Sequence, residues 1–134
     1  MKKILVIDDD PDITTLLKSR LEAQHHQVIT AENAVVGLEK IFNEKPDLIT
    51  LDIFMPDLAE ITGLEKFGAT LCDTLKHEKS LQGIPVVIIS GLERDVKPEV
   101  EEMVAAADAY FTKPFDSQKL LKKIEELLNK KVMS

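Results

Sequence analysis

Residues 4–10 read Ile4-Leu5-Val6-Ile7-Asp8-Asp9-Asp10, four apolar side chains stopped by three acids. A short apolar run without polar alternation suits a strand buried on both faces, as in a parallel sheet covered by helices. The acids mark where such a strand leaves the core. Comparable β-rich runs follow at Val28 to Thr30, Leu48 to Leu51, Pro85 to Ile89 and Ala109 to Phe111. Between them lie stretches of helical periodicity. Ile13, Leu16, Leu17 and Leu21 mark one stripe, Leu38, Ile41 and Phe42 a second, and Leu64, Phe67, Leu71 and Leu75 a third. Met103 and Val104 lie on a fourth, and Leu120, Leu121, Ile124, Leu127 and Leu128 on a fifth, which begins after Asp116 or Ser117 as cap. The alternation predicts an α/β fold: a doubly wound, five-stranded parallel sheet with helices on both faces, for which the order 2-1-3-4-5 is a common solution.

A chain of 134 residues has length for one domain with a core, and 44% apolar with 31% charged residues is the balance of a globular protein. We expect a single domain over residues 1–134, with an extended loop or helix region at about 57–83. The formal net charge of -7 argues against direct nucleic-acid binding. No apolar run is long enough to span a bilayer, and Met1-Lys2-Lys3 precedes too few apolar residues for a signal peptide, so the expected location is the cytoplasm. Cys72 stands alone among apolar residues and reads as a small core side chain. His25, His26 and His77 lack metal-ligand spacing and read as solvated surface.

In an open α/β sheet the ligand site lies beyond the carboxyl ends of the strands. Here those ends deliver Asp8, Asp9 and Asp10 from the first run, Asp52 from the third, Ser90 from the fourth, and Thr112, Lys113 and Pro114 from the fifth. Clustered carboxylates repel in a partly dry cleft unless one is protonated or a hard cation such as Mg2+ is bound. Beside Mg2+ and Lys113, Asp52 is placed to act as a carboxylate nucleophile on a phosphoryl donor, with Ser90 donating to a phosphoryl oxygen.

Four segments, taken together, carry a family resemblance: Ile4 to Asp10; Pro46-Asp47-Leu48-Ile49-Thr50-Leu51-Asp52-Ile53-Phe54-Met55-Pro56; Ile84 to Ser90; and Ala107 to Phe115. The chain resembles response-regulator receiver domains of two-component signalling, of the chemotaxis-regulator type, over nearly its whole length. The resemblance implies a flavodoxin-like fold and a signalling domain rather than an enzyme. By the family pattern Asp52 is the phosphoacceptor, and Asp8, Asp9, Asp52 and the main-chain carbonyl of Phe54 hold Mg2+. Ser90 and Tyr110 match the switch positions, Lys113 the phosphoryl-contacting lysine, and Pro114 implies a cis Lys113-Pro114 bond. It further implies a histidine kinase or histidine phosphotransfer protein as donor and a downstream protein as target. The face of the fourth helix, fifth strand and fifth helix is then the reshaped surface and a possible homodimer contact. Phe54 and Leu92, two positions past the acceptor and the switch hydroxyl, are candidates for limiting water attack and so setting phosphoryl lifetime.

The sequence also departs from the pattern. The family usually has a glycine soon after Met55-Pro56, but Asp57 to Thr62 intervene before Gly63, and extra residues follow around Lys66 to Thr70. Gly91 and Ala107 exchange small residues without removing a chemical group. The competing reading is a receiver-like interaction module that works without phosphorylation through residues 57–83. A nucleotide-binding enzyme is disfavoured because no GxxxxGK or GxGxxG loop is present.

Overall fold

A computed structural model describes residues 2–52, 83–91 and 107–133. In chain order these form β1 (Lys3–Ile7), α1 (Pro11–Ala23), β2 (Gln27–Ala31), α2 (Ala34–Glu44), β3 (Leu48–Leu51), β4 (Val86–Ser90), β5 (Ala109–Thr112) and the C-terminal helix (Ser117–Met133). All paired strands are parallel, and the sheet order is β2-β1-β3-β4-β5. The sheet is the one anticipated from the runs, with β1 starting a residue earlier, β2 longer by a residue at each end, β4 shifted by one to Val86–Ser90 and β5 reaching Thr112.

The central strands are buried on both faces because helices cover both. Leu5, Ile7, Ile49, Leu51 and Ile88 turn one way and form a core with Ile41 of α2. Ile4, Val6, Leu48, Val87 and Ile89 turn the other way, against Leu17 and Leu21 of α1 and Leu120, Ile124 and Leu128 of the C-terminal helix. This alternation is the two-residue period of a strand expressed in a double-sided core.

Local signals start and end the helices. Asp10 caps α1, its side chain accepting from the backbone N–H of Asp12, and Pro11 follows where its missing N–H costs no hydrogen bond. Asn33 caps α2 by accepting from the N–H of Val36 at 2.8 Å. Asp116 caps the C-terminal helix through the N–H groups of Gln118 and Lys119. Strand starts are held similarly, Asp47 accepting from the N–H of Lys3 and Asp108 from that of Val86, both at 2.8 Å.

Two expectations are corrected. Phe42 is 52% exposed, not on the core stripe of α2. With Ile41 facing the sheet, the next residue is rotated by about 100° around the helix axis, which carries Phe42 to the outer side with Val35. His26 is not a solvated side chain. Its ring is 8% exposed and Nε2 pairs with Glu125 of the C-terminal helix. His25, at φ 70°, takes the left-handed conformation that turns the chain from α1 toward β2.

α2 meets β1 closely at Gly37, where a Cβ would lie 2.5 Å from Ile7 Cδ1 and 3.0 Å from Cγ1. Gly37→Val is therefore expected to destabilise the fold by about 2 kcal/mol, through overpacking against the strand that carries Asp8. A urea midpoint equal to that of the wild type would refute this close contact.

Candidate functional site

The sheet ladder continues one residue past three strand ends and so sets the position of the rim. Asp8 N–H donates to Ala31 O at 3.0 Å, Asp52 N–H to Ile7 O at 3.0 Å, and Lys113 N–H to Ser90 O at 3.1 Å. Backbone pairing thus fixes three candidate site residues drawn from separate parts of the sequence. Ser90 is the last residue of β4 and is fully buried.

Their side chains converge. Asp8, Asp9 and Asp52 each offer a carboxylate oxygen within 4.8 Å of the others. Lys113 Nζ lies 2.9 Å from Asp8 Oδ2 and 3.1 Å from Asp52 Oδ2. Ser90 Oγ donates to Asp52 Oδ1 at 3.0 Å, so both oxygens of Asp52 are engaged. Asp8 and Asp52 are each 4% exposed, which makes their mutual repulsion poorly screened. The Lys113–Pro114 peptide is cis.

Electrostatics follow from this crowding. Burial pushes the Asp8 carboxyl up to about 6, against the pull of Lys113 and of the Asp10 N–H, while the charge of Asp52 adds to the rise. For Lys113, burial works against the charge, but the two acids outweigh it and hold its pKa above the ordinary lysine value. Three carboxylates and one ammonium leave about two negative charges when all are ionised. The oxygen donor set and that surplus fit a hard divalent cation.

The remaining candidates divide. Asp10, third of the acid run, turns to cap α1 while its N–H donates to Asp8 Oδ1 at 2.9 Å. Tyr110 pairs in register with Ile88 and packs against the core cluster that includes Leu51, Val86 and Ile88. Its hydroxyl is buried with no hydrogen-bond partner among the described residues, and burial raises its pKa. Phe54, Leu92, Cys72, His77, the third and fourth helix stripes, and residues 57–82 of the extension lie outside the described residues. The sequence reading missed a cavity of about 220 Å3 beside Asp8 and Asp9, lined also by Pro11, Thr14, Thr30, Ala31 and Glu32. The available signal was the strand order, which sets the end of β2 next to β1.

Comparison with known proteins gives consistent results. The family model for the response regulator receiver domain matches residues 4–125. Protein PilH of Pseudomonas aeruginosa is 38% identical over 128 residues, covering 96% of this chain and 98% of that protein. The chain spans about half the length of other curated relatives, transcriptional regulators to which it is 32–33% identical. Among solved structures, a CheY-like response regulator receiver domain protein from Methanospirillum hungatei JF-1 superposes with a TM-score of 0.82. The two are 32% identical, with 99% of this chain and 98% of the other covered. Response regulator TrrA of Thermotoga maritima, in complex with Mg2+ and BeF, gives a TM-score of 0.76 at 31% identity, over 95% of this chain and 99% of that one. A near-complete family match, a relative of equal length and the same five-stranded architecture leave one assignment: the chain belongs to the response regulator receiver domain family of two-component signalling.

Proposed function

We propose that residues 1–134 act as one phosphoacceptor receiver, which takes a phosphoryl group on Asp52 and signals to a protein partner by changing shape. The observation that carries this reading is the convergence on Asp52 of Ser90 and Lys113, with Asp8 and Asp9 alongside. An Asp52 oxygen attacks the phosphorus of a phosphohistidine, the P–N bond breaks with its electron pair going to the imidazole, and an acyl phosphate results. Asp8, Asp9, Asp52 and the Phe54 carbonyl would hold Mg2+, which when bound neutralises charge on the transferring group. Lys113 offsets charge from the other side, and Ser90 exchanges its bond to the carboxylate for one to a phosphoryl oxygen.

The donor is a histidine kinase or histidine phosphotransfer protein, by analogy with the response regulators matched above. The new charge draws in Ser90 and Lys113 and reshapes the surface around β5 and the C-terminal helix for a downstream protein or a second copy. Among the described residues no helix is long and apolar enough to cross a membrane, and a kinase-fed switch of this kind works in the cytoplasm. The net charge of -7 disfavours direct nucleic-acid contact.

The test is a mass measurement after incubation with Mg2+ and acetyl phosphate. The protein should gain one phosphoryl group, and the gain should vanish when Mg2+ is chelated. An unmodified mass in the presence of Mg2+ would favour the phosphorylation-independent module. Phosphoryl lifetime gives a second measurement. Phe54, two positions past the acceptor in the sequence, is an apolar residue to which we assign a part in hindering water attack. Phe54→Asn is expected to speed dephosphorylation about tenfold, equivalent to roughly 1.4 kcal/mol of barrier; an unchanged rate removes Phe54 from that role.

A further inference from the structure

Two hydrogen bonds in tandem run from Asp8 into the first turn of α1. The N–H of Asp10 donates to Asp8 Oδ1 at 2.9 Å, and the N–H of Asp12 donates to Asp10 Oδ1 at 2.9 Å. Asp8 Oδ2 faces Lys113 Nζ at 2.9 Å, so each oxygen of this carboxylate has a donor beside it. The main chain beneath is pinned as well, by the Asp8 N–H bond to Ala31 O at 3.0 Å. The gathered carboxylate oxygens belong to Asp8, Asp9 and Asp52, while the Asp10 carboxylate is engaged at the helix end.

The cap therefore holds the peptide that carries a donor to the site. Asp10 stands at φ -89° and ψ 110°, extended backbone in which nothing but its hydrogen bonds selects one angle over its neighbours. Its side chain fastens it to the Asp12 N–H, and its carbonyl accepts from the Thr14 N–H at 3.1 Å. Loss of the side-chain bond frees residue 10 to turn its N–H away from Asp8 Oδ1. A carboxylate that ligates a metal depends on such a bond, because its orientation is otherwise lost to rotation and must be recovered on binding.

We propose that Asp10 is a positioning residue for the acidic site: by capping α1 it fixes the N–H that orients Asp8, and so strengthens the binding of a divalent cation that it does not itself ligate. The inference rests on the reading of Asp8 as a metal ligand and deepens it. Two other effects of Asp10 are separable. An action through its charge would make every neutral residue at this position equally harmful, and an action through helix stability alone would make the harm follow the urea midpoint.

The experiment measures Mg2+ affinity of the full chain by calorimetry, with urea midpoints alongside, for the wild type, Asp10→Asn, Asp10→Gly and Asp10→Ala. Asparagine keeps an acceptor oxygen without the charge, and glycine keeps most of the stability of a capped helix without the side chain. Asp10→Asn should bind within about twofold of the wild type, and both Asp10→Gly and Asp10→Ala about tenfold more weakly, although Asp10→Gly leaves the urea midpoint nearly unchanged. In the metal-free protein, solvent exchange of the residue 10 amide should quicken about tenfold in Asp10→Gly and keep its wild-type rate in Asp10→Asn. Asn33→Ala, the same loss at α2, should lower the urea midpoint and leave Mg2+ affinity as it was. If Asp10→Ala fails to fold, Asp10→Gly carries the comparison. Affinity in Asp10→Asn as weak as in Asp10→Gly, affinity in Asp10→Gly equal to the wild type, or weakening by Asn33→Ala as large as that by Asp10→Ala would each overturn the proposal. A wild type that binds no Mg2+ would instead remove the metal reading of Asp8, and this inference with it.

Discussion

Asp52→Asn is expected to abolish the mass gain from acetyl phosphate and the binding of beryllofluoride with Mg2+, while leaving the fold intact. The substitution keeps shape and volume, so the packing around β3 is unchanged. The amide oxygen still accepts from Ser90, and Lys113 keeps Asp8 as an anionic partner at 2.9 Å. What disappears is the anionic oxygen that the proposed reaction uses to attack phosphorus and that completes the carboxylate set. Loss of phosphorylation with an undiminished melting temperature therefore assigns the chemistry to this one oxygen. A variant phosphorylated to the same extent as the wild type would move the acceptor elsewhere.

The residues that made the fold legible were those whose pattern has a single physical solution. The apolar runs at Ile4 to Ile7 and Leu48 to Leu51 required cover on both faces, and the acids that end them had to lie at the rim. The same requirement puts Asp8, Asp9, Asp52, Ser90 and Lys113 at one edge of the sheet. Angular detail was harder to read. Helical spacing sets Phe42 on a stripe with Leu38 and Ile41, yet α2 buries Ile41 and seats Gly37 on β1, and the resulting rotation leaves the phenylalanine outside. His26 was opaque because its burial depends on Glu125, 99 residues away, and on the turn made by His25. Asp10 was ambiguous within its own run, since a helix cap and a metal ligand use the same carboxylate, and local geometry gave it to α1. The cavity near Thr14, Thr30 and Glu32 required side-chain packing across two elements, which a one-dimensional pattern does not contain.

The site should also reveal itself in how stability depends on pH. In the metal-free protein the Asp8 carboxyl titrates at about 6, raised by burial from an ordinary value of 3.8. The folded state thus binds this proton more tightly than the unfolded chain does. The contribution of Asp8 is fully favourable below pH 4 and is lost as pH climbs through 6, where ionisation sets a third negative charge into the cleft. Asp8→Asn removes that loss. It should leave the metal-free protein more stable than the wild type at pH 7.5 by about 1–2 kcal/mol, a figure reduced for screening at the rim, and confer little advantage at pH 4. Added Mg2+ reverses the ranking at pH 7.5, since a cation that binds the ionised carboxylates stabilises only the native wild type. Urea titrations of both proteins at the two pH values, with and without Mg2+, decide the matter. If Asp8→Asn is less stable than the wild type at pH 7.5 without Mg2+, or if the gap between them is the same at both pH values, then charge crowding at Asp8 is not what strains this site.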